Sequence, residues 1–227
     1  MNLSSISLVL LATVCPVAVH AHPHPDVAPP AAASAKAVTG NGTHTFATDP
    51  GWGGFPDGKA VGPTHGGIAI GKSGDIFVST DGDRSICVFG KDGAFRRSIA
   101  PDCAGTHSLT IREEDGVEFL YGAHLKGQRI VKLTLDGKLA LEIADTEDQP
   151  IPGSLKGVTA VAVAPDGTIY AAVGYGSNLI HMFDPAGKLL RSFGAKGKGD
   201  DQFHTCHGLA VDPRFEPPML LVADRET

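Results

Sequence analysis

The chain has 227 residues, with 19 Lys or Arg against 25 Asp or Glu, for a formal net charge of −6. With charged residues at only 19%, no basic field is available to steer it to nucleic acid. The 29 glycines and 16 prolines fall mostly in turns and in an N-terminal linker, and no convincing amphipathic helical period interrupts them.

The N-terminus reads as an export signal. Ile6 to Val19 is apolar, broken only by Ser7, Thr13, Cys15 and Pro16. The run is too short and interrupted for a transmembrane span. Val19 and Ala21 are small residues at the two positions a signal peptidase reads, although no Lys or Arg precedes the run. The expectation is a signal peptide over 1–21 and a secreted or periplasmic protein. Val14 is too bulky for Cys15 to read as a lipoprotein acceptor. Removal of 1–21 leaves Cys87, Cys103 and Cys206, an odd number that argues against a full disulfide framework. Residues 22–58, rich in Ala, Pro, Gly and His, read as a flexible linker. His22, His24 and His44 have no fixed partners there and read as solvated.

From residue 59 onward a segment recurs four times. It begins at Gly66-Gly67-Ile68-Ala69-Ile70, His107-Ser108-Leu109-Thr110-Ile111, Thr159-Ala160-Val161-Ala162-Val163 and His207-Gly208-Leu209-Ala210-Val211, with starts 41, 52 and 48 residues apart. A period of about 40–50 residues marks propeller or solenoid arrays. The third copy is the cleanest. Val161-Ala162-Val163, Thr168 to Val173, Asn178 to Phe183 and Lys188 to Phe193 alternate with the turns Ala164-Pro165-Asp166-Gly167, Gly174-Tyr175-Gly176 and Asp184-Pro185-Ala186-Gly187. Four short strands per unit predict the blades of an all-β propeller over 59–227. Leu220 to Thr227 reads as the second strand of a fourth blade with its bend. The expectation is therefore four blades started, as a fragment of a six-bladed ring.

The innermost strand of each blade lines the channel, so the first residues of the repeats, Gly66, His107, Thr159 and His207, converge on the axis. His107 and His207 stand on alternate blades, and two neutral imidazoles there are plausible ligands of a divalent transition metal. A catalytic zinc wants three protein ligands, and alternation places the third on a sixth blade beyond Thr227. His65 sits one position before this register and reads as loop, and Asp224-Arg225-Glu226 reads as an ion-pair cluster locking neighbouring blades. His124 and Cys206 are candidates for packing or for additional ligation.

The residues from Thr159 through Gly174-Tyr175-Gly176-Ser177-Asn178, Gln202-Phe203, His207-Gly208-Leu209-Ala210-Val211 and Val222-Ala223-Asp224-Arg225-Glu226 resemble the NHL-repeat propeller family, within it most nearly the lyase domain of peptidylglycine α-amidating enzyme. The likeness runs from about Gly62 to the end. It implies zinc held by His107 and His207, with Tyr175 removing the substrate hydroxyl proton. The reaction it implies splits a peptidyl α-hydroxyglycine into a peptide amide and glyoxylate. It also implies a structural calcium on the backbone carbonyls of Ile68 and Leu109. Two positions depart from the family. Its blade-one Arg falls at or near Asp81 here, which reverses the local charge, and its Cys after the Tyr is Gly176. The nearest arginine, Arg84, has no assured path to the site. Two classes of function follow. One is an exported zinc-dependent carbon–nitrogen lyase acting on a peptide or small molecule. The other is a non-catalytic propeller binding a protein or small ligand on one face. A sugar-lactone hydrolase-like propeller ranks last, because its metal rests on acidic and amide side chains where this channel offers His and Thr.

Overall fold

The structure, a computed structural model, describes residues 8–10, as backbone, and 37–226. Among these there is no α-helix, and no helix long and apolar enough to cross a membrane. Strand β1 (Leu8–Leu10), inside the expected export signal, runs parallel to the last strand of the chain. The rest of that signal, with His22 and His24, lies outside the described residues. β2 (Val38–Asn41) and β3 (His44–Ala47) form an exposed hairpin.

Four blades follow. Blade one is β4 (Ile68–Ile70), β5 (Ile76–Ser79), β6 (Ile86–Phe89) and β7 (Phe95–Ile99). Blade two is β8 (Thr106–Glu114), β9 (Val117–His124), β10 (Arg129–Thr134) and β11 (Leu139–Ala144), preceded by a 3₁₀ turn at Pro101–Cys103. Blade three is β12 (Ala160–Val163), β13 (Ile169–Ala172), β14 (Ile180–Phe183) and β15 (Leu189–Phe193). Blade four contributes β16 (Cys206–Asp212) and β17 (Met219–Asp224). Within each of the first three blades the strands pair in chain order as an antiparallel meander. The chain is thus an all-β propeller array, as its repeats predict. The tight turns work because glycine takes the left-handed conformation that side chains resist: Gly167 and Gly187 sit at φ 85° and 86°.

The cores lie between blades, because each sheet buries its faces against its neighbours. Phe77, Ile86, Val88, Leu109, Leu120 and Leu133 fill the space between blades one and two. Tyr121, Ile130, Ile143, Val161, Ile169 and Phe183 fill that between two and three. Ala160, Tyr170, Ile180, Phe203, Leu220 and Val222 do so between three and four. Cys87, Cys103 and Cys206 are buried free thiols.

One stretch departs from expectation. Residues 22–58 read as linker, yet Phe55 is buried in the core of blade one, 5.6 Å from the Phe89 ring and 4.9 Å from that of Phe95. Trp52 stacks nearby, 5.5 Å from Phe89. The outer face of blade one is apolar and needs a cover, and two isolated aromatics in a glycine-rich stretch provide it.

Candidate functional site

The inner strands of blades two and four carry the same irregularity. In β8 the register steps from Thr106 opposite His124 to Ser108 opposite Ala123, which leaves His107 as the extra residue. In β16 it steps from Cys206 opposite Asp224 to Gly208 opposite Ala223, which leaves His207 as the extra residue. A β-bulge re-aims the side chain it carries, so both imidazoles leave the alternation of their strands and turn towards each other. Their ring centroids are 4.7 Å apart at 74°. Blade three has no such bulge. Thr159 there bonds inward, its hydroxyl donating to the Cys206 carbonyl at 2.8 Å and tying the inner edges of blades three and four.

A second repeated feature brings the partners. On every blade a residue one to three positions after the second strand donates its backbone N–H to the segment entering that blade's inner strand. Asp81 donates to Pro63, Lys126 to Gly105, Tyr175 to Gly157 and Arg225 to Thr205. Asp81, Lys126, Tyr175 and Arg225 are therefore equivalent positions at one end of the array. The Tyr175 loop is wedged tightly. A Cβ on Gly174 would stand 2.3 Å from the Cys206 carbonyl oxygen, and one on Gly176 would stand 2.2 Å from that of Lys156. On the other side, the Asp224 carboxylate accepts the backbone N–H groups of His204 and Thr205 at 3.0 and 2.8 Å, pinning the chain beside Arg225.

These supports produce one cluster. The Tyr175 hydroxyl lies 2.8 Å from His207 Nε2 and 3.3 Å from His107 Nε2. Arg225 Nη1 donates to the same oxygen at 3.2 Å, with its other terminal nitrogen on Glu226. Burial first, then His207 and His65, pushes His107 down to about 4. Burial first, then the Arg225 charge, lowers His207. Both rings are neutral at pH 7. The single phenolic proton serves one Nε2, so the other must present N–H to the oxygen.

The structure brings together His107, His207 and Tyr175 as the sequence suggests. It also adds two residues that sequence reasoning set aside. His65 stacks on His107, with centroids 4.7 Å apart and planes 19° apart, and its Nε2 is 3.5 Å from Asp81 Oδ1. Arg225, read as a member of an ion-pair cluster, also reaches the phenol. Other candidates lie elsewhere. His124 Nε2 is 3.0 Å from the Ala104 carbonyl, and its Nδ1 accepts from Arg129. The Cys206 thiol, pushed up to about 12 by burial, packs toward the Leu179 carbonyl. Arg84 turns away, bonding Asp57 at 2.6 Å and stacking 4.0 Å over Phe55.

The donor set sets limits on a metal. His107 and His207 offer the same ring nitrogen to a common point and are neutral, as imidazole ligands must be. That point holds the Tyr175 hydroxyl, and among the described residues no group of three or more His, Cys, Asp or Glu is arranged as a metal site. The pair fits as two ligands of a larger sphere. Ile68 and Leu109, the expected calcium carbonyls, both line a cleft of about 390 Å³ between blades one and two.

No protein-family model and no curated protein sequence matches the chain. Solved structures do. A streptogramin B lyase aligns at TM-score 0.53 and 13% identity, over 71% of this chain and 48% of its own. Virginiamycin B lyase from Staphylococcus aureus, in a catalytically inactive form with quinupristin, aligns at 0.47 and 19%, over 63% and 44%. A gluconolactonase from Xanthomonas campestris aligns at 0.43 and 20%, over 64% and 52%. The chain spans about half the length of these proteins, and at such identities the likeness is one of fold: this chain is built as a β-propeller.

Proposed function

We propose that the chain belongs to an exported NHL-type propeller whose axial site binds a divalent transition ion through His107 and His207 and acts as a lyase of the peptidyl-α-hydroxyglycine type. The observation that carries this reading is the convergence of two neutral imidazole nitrogens and a guanidinium on one phenolic oxygen. In the reaction the substrate hydroxyl loses its proton, and its electrons become the carbonyl of glyoxylate. The carbon–nitrogen bond breaks, and the departing amide nitrogen takes up a proton. In this reading Tyr175, as tyrosinate, accepts the hydroxyl proton, with the Arg225 guanidinium beside its oxygen. His107 and His207 hold the phenol through Nε2, the atom each would give to zinc, so binding the ion would release those two contacts. Zinc bound by these imidazoles would supply acidification of the substrate hydroxyl. A calcium ion in the cleft at Ile68 and Leu109 belongs to the same proposal, as a structural ion.

The test is elemental analysis of the complete protein and of its His107→Ala, His207→Ala double variant. The expected result is stoichiometric zinc in the first and none in the second, with Tyr175→Phe slowing glyoxylate release at least a hundredfold. A protein that holds no zinc, or holds it equally well without both histidines, overturns the metal reading. An unchanged rate in Tyr175→Phe overturns the proton-transfer role. A specific observation favours a second reading, a non-catalytic propeller binding a protein or small ligand on one face: Asp81 stands where the resembled family carries an arginine. Zinc with no release of glyoxylate would select it.

A further inference from the structure

The hairpin that precedes the blades has no covered face. β2 and β3 form a two-stranded sheet of their own. Every residue of both strands is exposed, Val38 at 71% and Phe46 at 67%. A lone two-stranded hairpin is marginally stable in water, so its strands part at little cost in free energy. Its two-residue turn is Gly42-Thr43, closed by Asn41 opposite His44.

That turn joins an asparagine to a glycine, and the Gly42 nitrogen can close a five-membered ring on the Asn41 side-chain carbonyl carbon. Glycine carries no Cβ to shield its nitrogen. Gly42 sits at φ 58°, and a carbon added to it would meet no heavy atom within 4 Å. Among the described residues its N–H makes no hydrogen bond. The Asp-Gly turns of the blades are closed to the same ring. Gly93, Gly137 and Gly167 donate their N–H groups to the carbonyls of Gly90, Thr134 and Ala164 at 2.9, 2.9 and 3.0 Å. The carboxylates of Asp92 and Asp166 accept from the backbone N–H groups of Ala94 and Thr168. The other described asparagine, Asn178, is 3% exposed, is followed by Leu179, and holds the Cys206 N–H with its Oδ1 at 3.3 Å.

We propose that Asn41-Gly42 is a self-modification site, which converts on the folded protein to aspartate and isoaspartate with water as the only co-reactant. The Gly42 nitrogen bonds to Asn41 Cγ and gives up its proton. The Cγ–Nδ2 bond breaks, and ammonia leaves with that proton. Water then adds to one of the two carbonyls of the resulting succinimide, and the bond from that carbon to the ring nitrogen breaks, returning a proton to the nitrogen. Opening at Cγ gives aspartate, and opening at the main-chain carbonyl gives isoaspartate. Either product adds a negative charge to a chain of formal net charge −6. Isoaspartate also threads the Cβ carbon into the main chain, which breaks the register of Val38–Asn41 against His44–Ala47. Trp52 and Phe55, seated against blade one further along the chain, confine the change to the hairpin.

The experiment ages the complete folded protein in mildly alkaline buffer, where the attacking nitrogen loses its proton more readily. Peptides cut in acid are then read by mass spectrometry, and isoaspartate is counted by enzymatic methyl transfer from S-adenosylmethionine. Asn41 should convert at least about tenfold faster than Asn178, whose release from the core needs a costlier opening. Asn41→Gln should remove the isoaspartate of the hairpin, and Gly42→Ala should slow the conversion several-fold, because a Cβ shields the attacking nitrogen. An Asn41 that stays intact, or that converts no faster than Asn178, overturns the proposal. So does a Gly42→Ala protein that converts Asn41 at the unaltered rate. The first two outcomes are read on the unaltered protein, so a folding defect in a variant does not rescue the idea. No step uses the axial histidines, Tyr175 or a metal, so this proposal and the lyase reading stand or fall separately.

Discussion

At the scale of single residues, burial decides which histidines carry charge. His181 on blade three is fully buried, with Nδ1 2.8 Å from the Ser192 hydroxyl and Nε2 without a hydrogen bond. Burial pushes it down to about 4. Unfolded, the same imidazole titrates near its ordinary value of about 6.5. Between these values the unfolded chain binds the proton and the folded chain does not. The contribution to stability is therefore complete above about pH 6.5 and is lost as pH falls toward about 4. The slope is at most about 1.4 kcal/mol per pH unit for one such group. Urea unfolding of the wild type across this window should show declining stability, and His181→Gln should make the decline shallower by up to that amount. Parallel curves would show that His181 binds protons alike in the folded and unfolded chain.

At the scale of elements, the blades were legible in the sequence and the shape of the site only in part. Alternating apolar residues and Asp-Gly turns mark the strands of blade three to within two residues. Repeat alignment also pairs His107 with His207. What alignment cannot supply is the bulge that turns both rings toward Tyr175, because a bulge is a mismatch between two strands rather than a feature of either one. His65 falls outside the repeat register, and its place is set by the bonds between its loop and the turn after β5. Arg225 was hidden among charges that pair locally, with Glu226 at 3.1 Å. The signal that finds it is position, since like Tyr175 and Asp81 it lies within three residues of the end of a blade's second strand. The same tight fit predicts the effect of a methyl group. Gly174→Ala drives a carbon into the Cys206 carbonyl, one residue before His207. It should cost about 1–3 kcal/mol and lower the melting temperature by several degrees. Gly82→Ala, with no heavy atom within 4 Å of its added carbon, is the control and should be near silent. Equal melting temperatures for the two variants would show that the Gly174 loop yields freely.

At the scale of the whole molecule, stability is divided among the seams between blades. Three of the cores join one sheet to the next, and among the described residues no single buried cluster spans all four blades. Such an array behaves as a chain of nearest-neighbour couplings, in which damage to one seam decays along the array. Phe203 tests this, being fully buried in the seam between blades three and four, where its ring also lies close beneath Gly194. Phe203→Ala removes a large ring from a closed space and should cost about 3–5 kcal/mol at that seam. Hydrogen exchange should then quicken most at the amides of β16 and β17, less at β12 to β15, and least at β4 to β7, where the core around Phe77 and Ile86 is untouched. The functional cluster should weaken with the damaged seam, because His207 and Arg225 ride on blade four while Tyr175 rides on blade three. Uniformly faster exchange across all four blades would mean that the array unfolds as one cooperative unit, and the site would then depend on every seam equally.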